Sequence, residues 1–139
     1  MKRLMICLLA VFFLLGACAT VPVKPIASSD LPVLKGKWEG TREIVINFLR
    51  TFSAAELEIY NDTLPLKGKL TLYVPEYIGN EVRTYPFEDG QVDQTGKLII
   101  NLHENDRMEL SFSSGETKKT LYGSYFRLRQ TGRIVLHKK

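Results

Sequence analysis

Short runs in which apolar and polar residues alternate constrain this chain more than any other feature. A period of two is typical of strands with one face in a core and the other toward water. The apolar positions of the clearest runs are Leu57 and Ile59; Leu70, Leu72 and Val74; Leu98, Ile100 and Leu102; Met108, Leu110 and Phe112; and Ile134 and Leu136. The sequence therefore predicts an all-β protein.

Turn-forming pairs separate these runs, and several of the pairs lie about ten residues apart, as in antiparallel hairpins. They predict about eight or nine strands, in a single small antiparallel meander that closes into a barrel and so has no exposed edges. The expected strands are roughly 36–49, 55–61, 66–74, 82–87, 91–94, 97–104, 107–113, 120–129 and 133–138. One alternative is local: Ser53-Ala54-Ala55-Glu56 is a capping-box pattern that could open a helical turn. The alternation that follows it favours a strand.

The N-terminus has the pattern of a cleavable leader. Lys2 and Arg3 precede an apolar run that ends at Leu15, which is shorter than the roughly 20 residues that span a bilayer. The run closes on Leu15-Gly16-Ala17-Cys18, which resembles the lipobox of bacterial lipoproteins. The resemblance implies that Cys18 is lipidated and that cleavage falls just before it. The alternative is a plain secretory signal with an accidental cysteine.

The lipobox resemblance also implies a location and a domain organisation. Ala19 stands where Asp would commonly signal inner-membrane retention, so we expect acyl chains on Cys18 to anchor the protein in the outer membrane of the bacterial envelope, facing the periplasm. The expected segments are a signal peptide, 1–17, the lipidated cysteine with a flexible Pro-rich tether, 18–33, and the barrel domain, 34–139. No thiol then remains for a disulfide, a metal or catalysis.

Composition and charge exclude several classes of protein. The chain is 45% apolar and 24% charged, which are globular values. The formal net charge of +4 includes two leader residues, so we expect no nucleic-acid partner. The most cationic region is the C-terminal third, which contains Lys118, Lys119, Arg127, Arg129, Arg133, Lys138 and Lys139. It is either a solvated face or a contact for anionic headgroups.

Catalytic and cofactor motifs are missing from the sequence. No Gly-x-Ser-x-Gly elbow is present, and Gly90 and Gly96 have the wrong spacing for a phosphate loop. His103 and His137 fall on outward strand positions, and nothing in their spacing requires the two side chains to meet as a metal-binding pair. We therefore expect neither catalytic residues, nor a metal, nor a cofactor.

Three tyrosines cluster around one expected strand pair and its loop. Tyr73, Tyr77 and Tyr85 provide amphipathic contact area at low entropic cost, and so form a candidate binding edge. Ordinary strand-forming residues are the alternative.

Gly36-Lys37-Trp38 opens the first long strand and resembles the start of the lipocalin and avidin-like (calycin) barrels. The resemblance implies that Trp38 plugs one end of the barrel and that an arginine, first Arg133 and second Arg129, packs across it. The chain is short for a lipocalin and lacks the second lipocalin motif, so the resemblance covers architecture and transfers no ligand.

Two functions follow from a lipid-anchored barrel. The main hypothesis is a non-enzymatic binding module that holds a lipid or another apolar small molecule in the barrel mouth. The alternative is a filled barrel that binds an envelope protein or inhibits one through the loops 75–81 and 113–119. Ser114-Gly115 resembles the loop of small lysozyme-inhibitor lipoproteins, although Lys118 replaces the tyrosine of that pattern.

Overall fold

The computed structural model describes residues 23–46, 49–74, 79, 81–103, 105–115, 117–127 and 130–139. It is an all-β protein with one closed barrel in which eight antiparallel strands follow one another in chain order, as predicted. The strands are β1 (Gly36–Ile46), β2 (Leu49–Ile59), β3 (Leu66–Tyr73), β4 (Val82–Val92), β5 (Leu98–His103), β6 (Asp106–Ser114), β7 (Lys119–Arg127) and β8 (Gln130–Lys138). The architecture is consistent with the calycin-like fold.

Pairing between β1 and β8 closes the barrel, over Trp38–Arg42 on β1 and Ile134–Lys138 on β8. Gly40 makes this closure possible, since a Cβ there would lie 2.0 Å from the carbonyl oxygen of Val135. No side chain could occupy that space without separating the two strands.

The observed strands differ from the predicted ones in several places. β1 ends at Ile46 and β2 begins at Leu49, so the first strand is shorter than the predicted 36–49 and the second begins six residues before the predicted 55–61. The segment 91–94 is not a strand of its own, because β4 continues through a register shift near Gly68 to Val92. Ser53 and Glu56 lie within β2, so the helical alternative is wrong. Cross-strand pairing with Arg42 and Glu39 outweighs the local capping pattern there.

Large apolar side chains fill the barrel along most of its length. Those that are fully buried include Trp38, Leu57, Leu66, Leu70, Leu72, Leu98, Ile100, Met108, Leu110 and Leu121. Most of them occupy the alternate positions that the sequence predicts to face inward, whereas Leu66 and Leu121 lie outside the alternating runs named there. A side chain that lines an empty ligand cavity keeps some accessible surface, and these side chains keep none.

The segment before β1 covers one end of the barrel. It contains a 3-10 turn (Ser28–Asp30) and one turn of helix, α1 (Leu31–Leu34). Leu34 is fully buried, and Ile26 and Leu31 are nearly so. The Ile26 N–H donates to the carbonyl oxygen of Gly96 at 2.9 Å.

These contacts show that part of the expected tether is packed against the barrel. The sequence assigns 18–33 to a flexible segment, but the described part from Lys24 onward packs on the barrel, where Lys24 forms a β-bridge with Phe112. The proline content predicts an extended linker, but the apolar residues between the prolines bury their side chains against the end of the barrel.

The barrel thus has two different ends. We call the end covered by residues 26–34 the closed end; β1, β3, β5 and β7 begin there. The opposite end, where the β1–β2, β3–β4, β5–β6 and β7–β8 connections lie, is the distal end. No helix among the described residues is long and apolar enough to cross a membrane.

Candidate functional site

A buried chain of polar side chains crosses the interior near the distal end. Arg42 and Ser53 are direct cross-strand partners on β1 and β2, and Arg42 Nε donates to Ser53 Oγ at 3.2 Å. The Arg42 guanidinium carbon lies 5.8 Å from the ring centroid of Tyr125 on β7. The Tyr125 hydroxyl in turn donates to Asp106 Oδ2 on β6 at 3.2 Å.

This polar chain lies on the distal side of the apolar core and connects side chains of β1, β2, β6 and β7. Arg42 is 7% exposed and Tyr125 is 5% exposed, so the guanidinium is largely removed from water. Every buried side-chain nitrogen or oxygen among the described residues has a hydrogen-bond partner. A satisfied polar layer of this kind rigidifies the surrounding structure.

Beyond this layer, β1 and β2 continue as a two-stranded ribbon. The pairing of β1 with β8 ends at Arg42, and that of β2 with β3 ends at Ala55. We call residues 43–46 and 49–54 the ribbon, because their ladder bonds join only β1 to β2. The tip, residues 47–48, lies outside the described residues.

The ribbon exposes large apolar side chains. Phe52 is 65% exposed, Leu49 is 73% exposed and Val45 is 38% exposed. Phe52 pairs with Glu43, and Val45 pairs with Arg50, so one face of the ribbon alternates apolar groups with a Glu43–Arg50 ion pair of 3.4 Å. Apolar groups interspersed with charges on an exposed surface are typical of protein contact sites.

A groove of about 450 Å³ opens between β4 and β5, the neighbouring strands with the shortest pairing among the described residues. β4 and β5 pair only at Gln91–Ile99 and Val92–Leu98. Past these pairs a side-chain bond connects the strands, from Asn101 Nδ2 to Asp89 Oδ2 at 3.0 Å. The groove is lined by Asp89, Asn101, Leu102, His103, Asn105, Asp106 and Arg107.

The groove lining is polar, with amide, imidazole and guanidinium donors facing carboxylate acceptors. Such a set suits hydrogen bonding to a polar surface rather than capture of an apolar molecule. Among the residues that the structure describes, no three His, Cys, Asp or Glu side chains come together in a way that could hold a metal ion.

The expected plug at the closed end has a different cation from the one predicted. Trp38 is fully buried, and its Nε1 donates to the carbonyl oxygen of Leu34 at 2.7 Å. The cation over its ring is Lys138, whose Nζ lies 4.8 Å from the ring centroid. Arg133 is exposed on β8, opposite Ser124, and Arg129 lies outside the described residues.

Strand parity explains this outcome. Lys138 is the direct cross-strand partner of Trp38, so both side chains point to the same side. Arg133 is five positions away along β8, an odd number, and therefore points outward. Burial lowers the pKa of the Lys138 amine, with a smaller contribution from nearby Lys119.

The described tyrosines of the candidate binding edge lie on opposite faces of the β3–β4 pair. Tyr73 points outward, and its hydroxyl donates to Glu56 Oε1 at 2.7 Å, a bond that raises the pKa of the phenol. Tyr85 is the partner of buried Leu70 and packs against the core. Tyr77 lies outside the described residues. The structure therefore does not bring Tyr73 and Tyr85 into one surface.

The two loops of the alternative hypothesis are also separated. The β3–β4 loop, of which Gly79 and Glu81 are described, lies at the distal end, whereas the β6–β7 loop with Lys118 lies at the closed end. A partner could not contact both loops across one small surface.

Sequence reasoning missed Arg42 and the ribbon, although one signal for Arg42 was present. Trp38, Gly40 and Arg42 occupy alternate positions on β1, so an inward Trp38 implies an inward Arg42. The candidate lipidation site, Cys18, lies outside the described residues and stays a prediction.

Comparison of the chain with protein-family models, with curated proteins and with solved structures finds no match.

Proposed function

We propose that this chain is a lipid-anchored envelope protein that acts as a non-enzymatic binding module and contacts a protein partner through the ribbon. The barrel is then a rigid scaffold. Cys18 carries the anchor, as its resemblance to the lipobox implies.

The filled interior is the observation that supports this proposal most. Trp38, Leu57, Leu66, Leu70 and Leu72 keep no accessible surface, and the Arg42–Ser53 contact lies in the distal part of the same interior. An apolar ligand would have to displace these groups, at a cost of several kcal/mol for each large side chain. A surface contact needs no such displacement.

The ribbon is the best candidate for that contact. Val45 and Phe52 lie on one face of it with the Glu43–Arg50 pair, and Leu49 is exposed on the other face. Its ladder pairing with β8 ends at Arg42 and that with β3 ends at Ala55. A protein partner could bury these side chains and add backbone hydrogen bonds at an edge. The stretch from Glu43 to Ala54 contains no proline, so each N–H that the β1–β2 ladder does not use remains a donor for such bonds.

The anchor is tested by replacing Cys18. We expect Cys18→Ser to move the protein from the salt-washed membrane fraction into the soluble envelope fraction, because the lipidated thiol is lost. Mass spectrometry of the native protein should show acyl chains on residue 18. Mature protein that lacks Cys18 and still remains on membranes washed with about 1 M salt, where the Debye length is about 3 Å, would contradict the anchor.

The contact surface is tested by photo-cross-linking in cells from a probe placed at position 52. We expect one envelope protein to be captured, and Val45→Ser, on the same face of the ribbon as position 52, to reduce its yield severalfold. The matched control is Leu64→Ser, since Leu64 is 47% exposed at the closed end. An equal loss of cross-linking in the control would remove the ribbon from the proposal.

Native mass spectrometry of anchor-free protein distinguishes this proposal from the hypothesis that the barrel mouth holds a lipid or another apolar small molecule. We expect the mass of the bare chain. A reproducible lipid adduct that organic solvent removes would instead support a small apolar ligand in the barrel mouth.

A further inference from the structure

Lysines and arginines occupy different halves of the barrel. The lysines lie in the closed half: Lys24, Lys35, Lys37, Lys67, Lys69, Lys97, Lys118, Lys119, Lys138 and Lys139. The described arginines belong to the distal half: Arg42, Arg50, Arg83, Arg107, Arg127 and Arg133. The cationic C-terminal third of the sequence is therefore not one face, because antiparallel strands divide it between the two ends.

Part of the positive charge at the closed end is balanced within the protein. Lys24 pairs with Asp30 at 3.4 Å and Lys139 with Glu39 at 2.5 Å. Glu58 lies near both Lys37 and Lys69.

Four other lysines are not held in salt bridges of the described residues, although the charge of Lys97 lies near enough to Asp93 to help lower the pKa of that carboxyl. Lys67, Lys97, Lys118 and Lys119 are all exposed, and none of them forms an ion pair with an acidic residue that the structure describes. They stand where β3, β5 and β7 begin, on three alternate strands. Their charges therefore surround the closed end rather than form one local patch.

The chain enters the barrel at this same end. Lys24 pairs with Phe112 near the end of β6, and residues 19–23 are all that separate it from Cys18. Five residues span at most roughly 20 Å even when fully extended. A lipid anchor on Cys18 would hold the closed end within that distance of the membrane.

We propose that the closed end docks on the anionic headgroups of the membrane that carries the anchor, through Lys67, Lys97, Lys118 and Lys119. This rests on the proposed function, because it takes its membrane from the Cys18 anchor. Juxtamembrane lysines are attracted to anionic lipid within a Debye length of the surface. The docked barrel presents the ribbon away from the membrane, toward the periplasm.

The test measures binding of the Cys18→Ser protein to vesicles by cosedimentation at about 0.1 M salt, where the Debye length is about 10 Å. We expect binding to vesicles rich in phosphatidylglycerol and none to vesicles of phosphatidylcholine. Lys67→Gln, Lys97→Gln and Lys118→Gln together should weaken binding about 100-fold, since each lysine near such a surface contributes about fivefold.

The matched control removes the same charge from the other end. Arg50→Gln, Arg107→Gln and Arg133→Gln together should leave binding within about threefold of the parent, since these residues lie beyond a Debye length from the docked surface. Both triple variants must retain the parent's circular dichroism and melting temperature. Equal weakening by both sets would overturn the proposal, and so would the absence of binding to phosphatidylglycerol vesicles.

These failures can be told apart from failure of the anchor. The vesicle assay uses protein without a lipid, so its outcome does not depend on lipidation. If Cys18→Ser leaves the protein on membranes that have been washed with about 1 M salt, which screens the lysine contacts, while the vesicles reproduce the lysine dependence, the anchor fails and the docking surface stands.

Discussion

The two ends of this barrel are built on different principles. At the closed end, apolar side chains from the N-terminal segment cover an apolar core, and the fully buried Trp38 and Leu34 join the two. At the distal end, the interior carries a buried arginine, and the strands beyond it expose Phe52 and Leu49. One end is sealed against water, while the other presents apolar groups to it.

This difference shows where stability and recognition reside. Apolar surface that is buried within the molecule stabilises the fold, while exposed apolar surface on the ribbon contributes to stability only when a partner covers it. Substitutions at the two ends should therefore affect different measurements.

The largest contrast is expected between the aromatic residues of the two ends. Trp38→Ala should lower the free energy of unfolding by about 3–5 kcal/mol, because it leaves a cavity beside Phe112 and removes a buried hydrogen bond. Phe52→Ala should change it by less than about 0.5 kcal/mol. Urea denaturation of both variants measures this; similar losses would contradict a ribbon that lies outside the core.

A smaller contrast separates two arginines of the distal half. Arg42→Ala should cost about 2–3 kcal/mol, because it removes a buried charged group and leaves polar partners in the interior without their contact. Arg50→Ala should cost about 0.5 kcal/mol, since the side chain of Arg50 is 73% exposed in its pair with Glu43. Equal costs would show that the interior at Arg42 is wetter than its burial indicates.

The architecture could be predicted from the sequence, but the structures of the two barrel ends could not. Alternation marks the inward positions of β2, β3, β5, β6 and β8 from local residues alone, which is why a closed antiparallel barrel of about eight or nine strands and much of its core were predicted. The ribbon depends on where β8 and β3 stop pairing, at Arg42 and Ala55. Such limits are set by other strands and leave no local pattern.

The errors in the predicted site residues have a similar physical cause, since they too depend on pairing between strands. Whether Tyr73 and Tyr85 share a face depends on the β3–β4 register, in which Tyr85 faces Leu70. The cation over Trp38 was within reach of the sequence, since the alternation of Ile134 and Leu136 continues to Lys138. The resemblance to calycin barrels implies Arg133 instead.

Lys138 gives the closed end a pH dependence that the distal end should lack. Its Nζ donates to the carbonyl oxygens of Val33 and Lys35, and Lys138→Met should cost about 1 kcal/mol at neutral pH through the loss of these bonds and of the cation–π contact. Burial lowers the pKa of the folded amine below its ordinary value of 10.5. The unfolded chain therefore binds more protons between the two pKa values, so stability should rise with pH across that window.

Urea titrations from pH 7 to about 10.5 measure this rise. Lys138→Met should remove it while retaining much of the side-chain volume over Trp38. A rise of the same size in the variant would assign the effect to another group.

The smallest effect is expected at Asp93, in the turn on which the N-terminal segment docks. Its carboxylate accepts from the backbone N–H groups of Lys97 and Thr95 and from the Thr95 hydroxyl. These bonds, with that to the Lys97 N–H the largest contribution, lower the pKa of Asp93 below its ordinary value of 3.8. The stabilisation is therefore present above pH 3.8 and is lost as the pH falls through the lowered folded value.

Asp93→Asn should lower the melting temperature at pH 7, and its deficit relative to the parent should close in acid, where the parent carboxyl is protonated too. Gly96 in the same turn has a φ of +76° and contacts Pro25, so loosening of the turn should also expose the chain near Ile26 to proteolysis. Glu88→Gln, a change at an exposed carboxyl on β4, is the control and should leave both readouts unchanged. A deficit that persists unchanged at pH below 3 would mean that the shape of the side chain at residue 93, and not its charge, holds the closed end together.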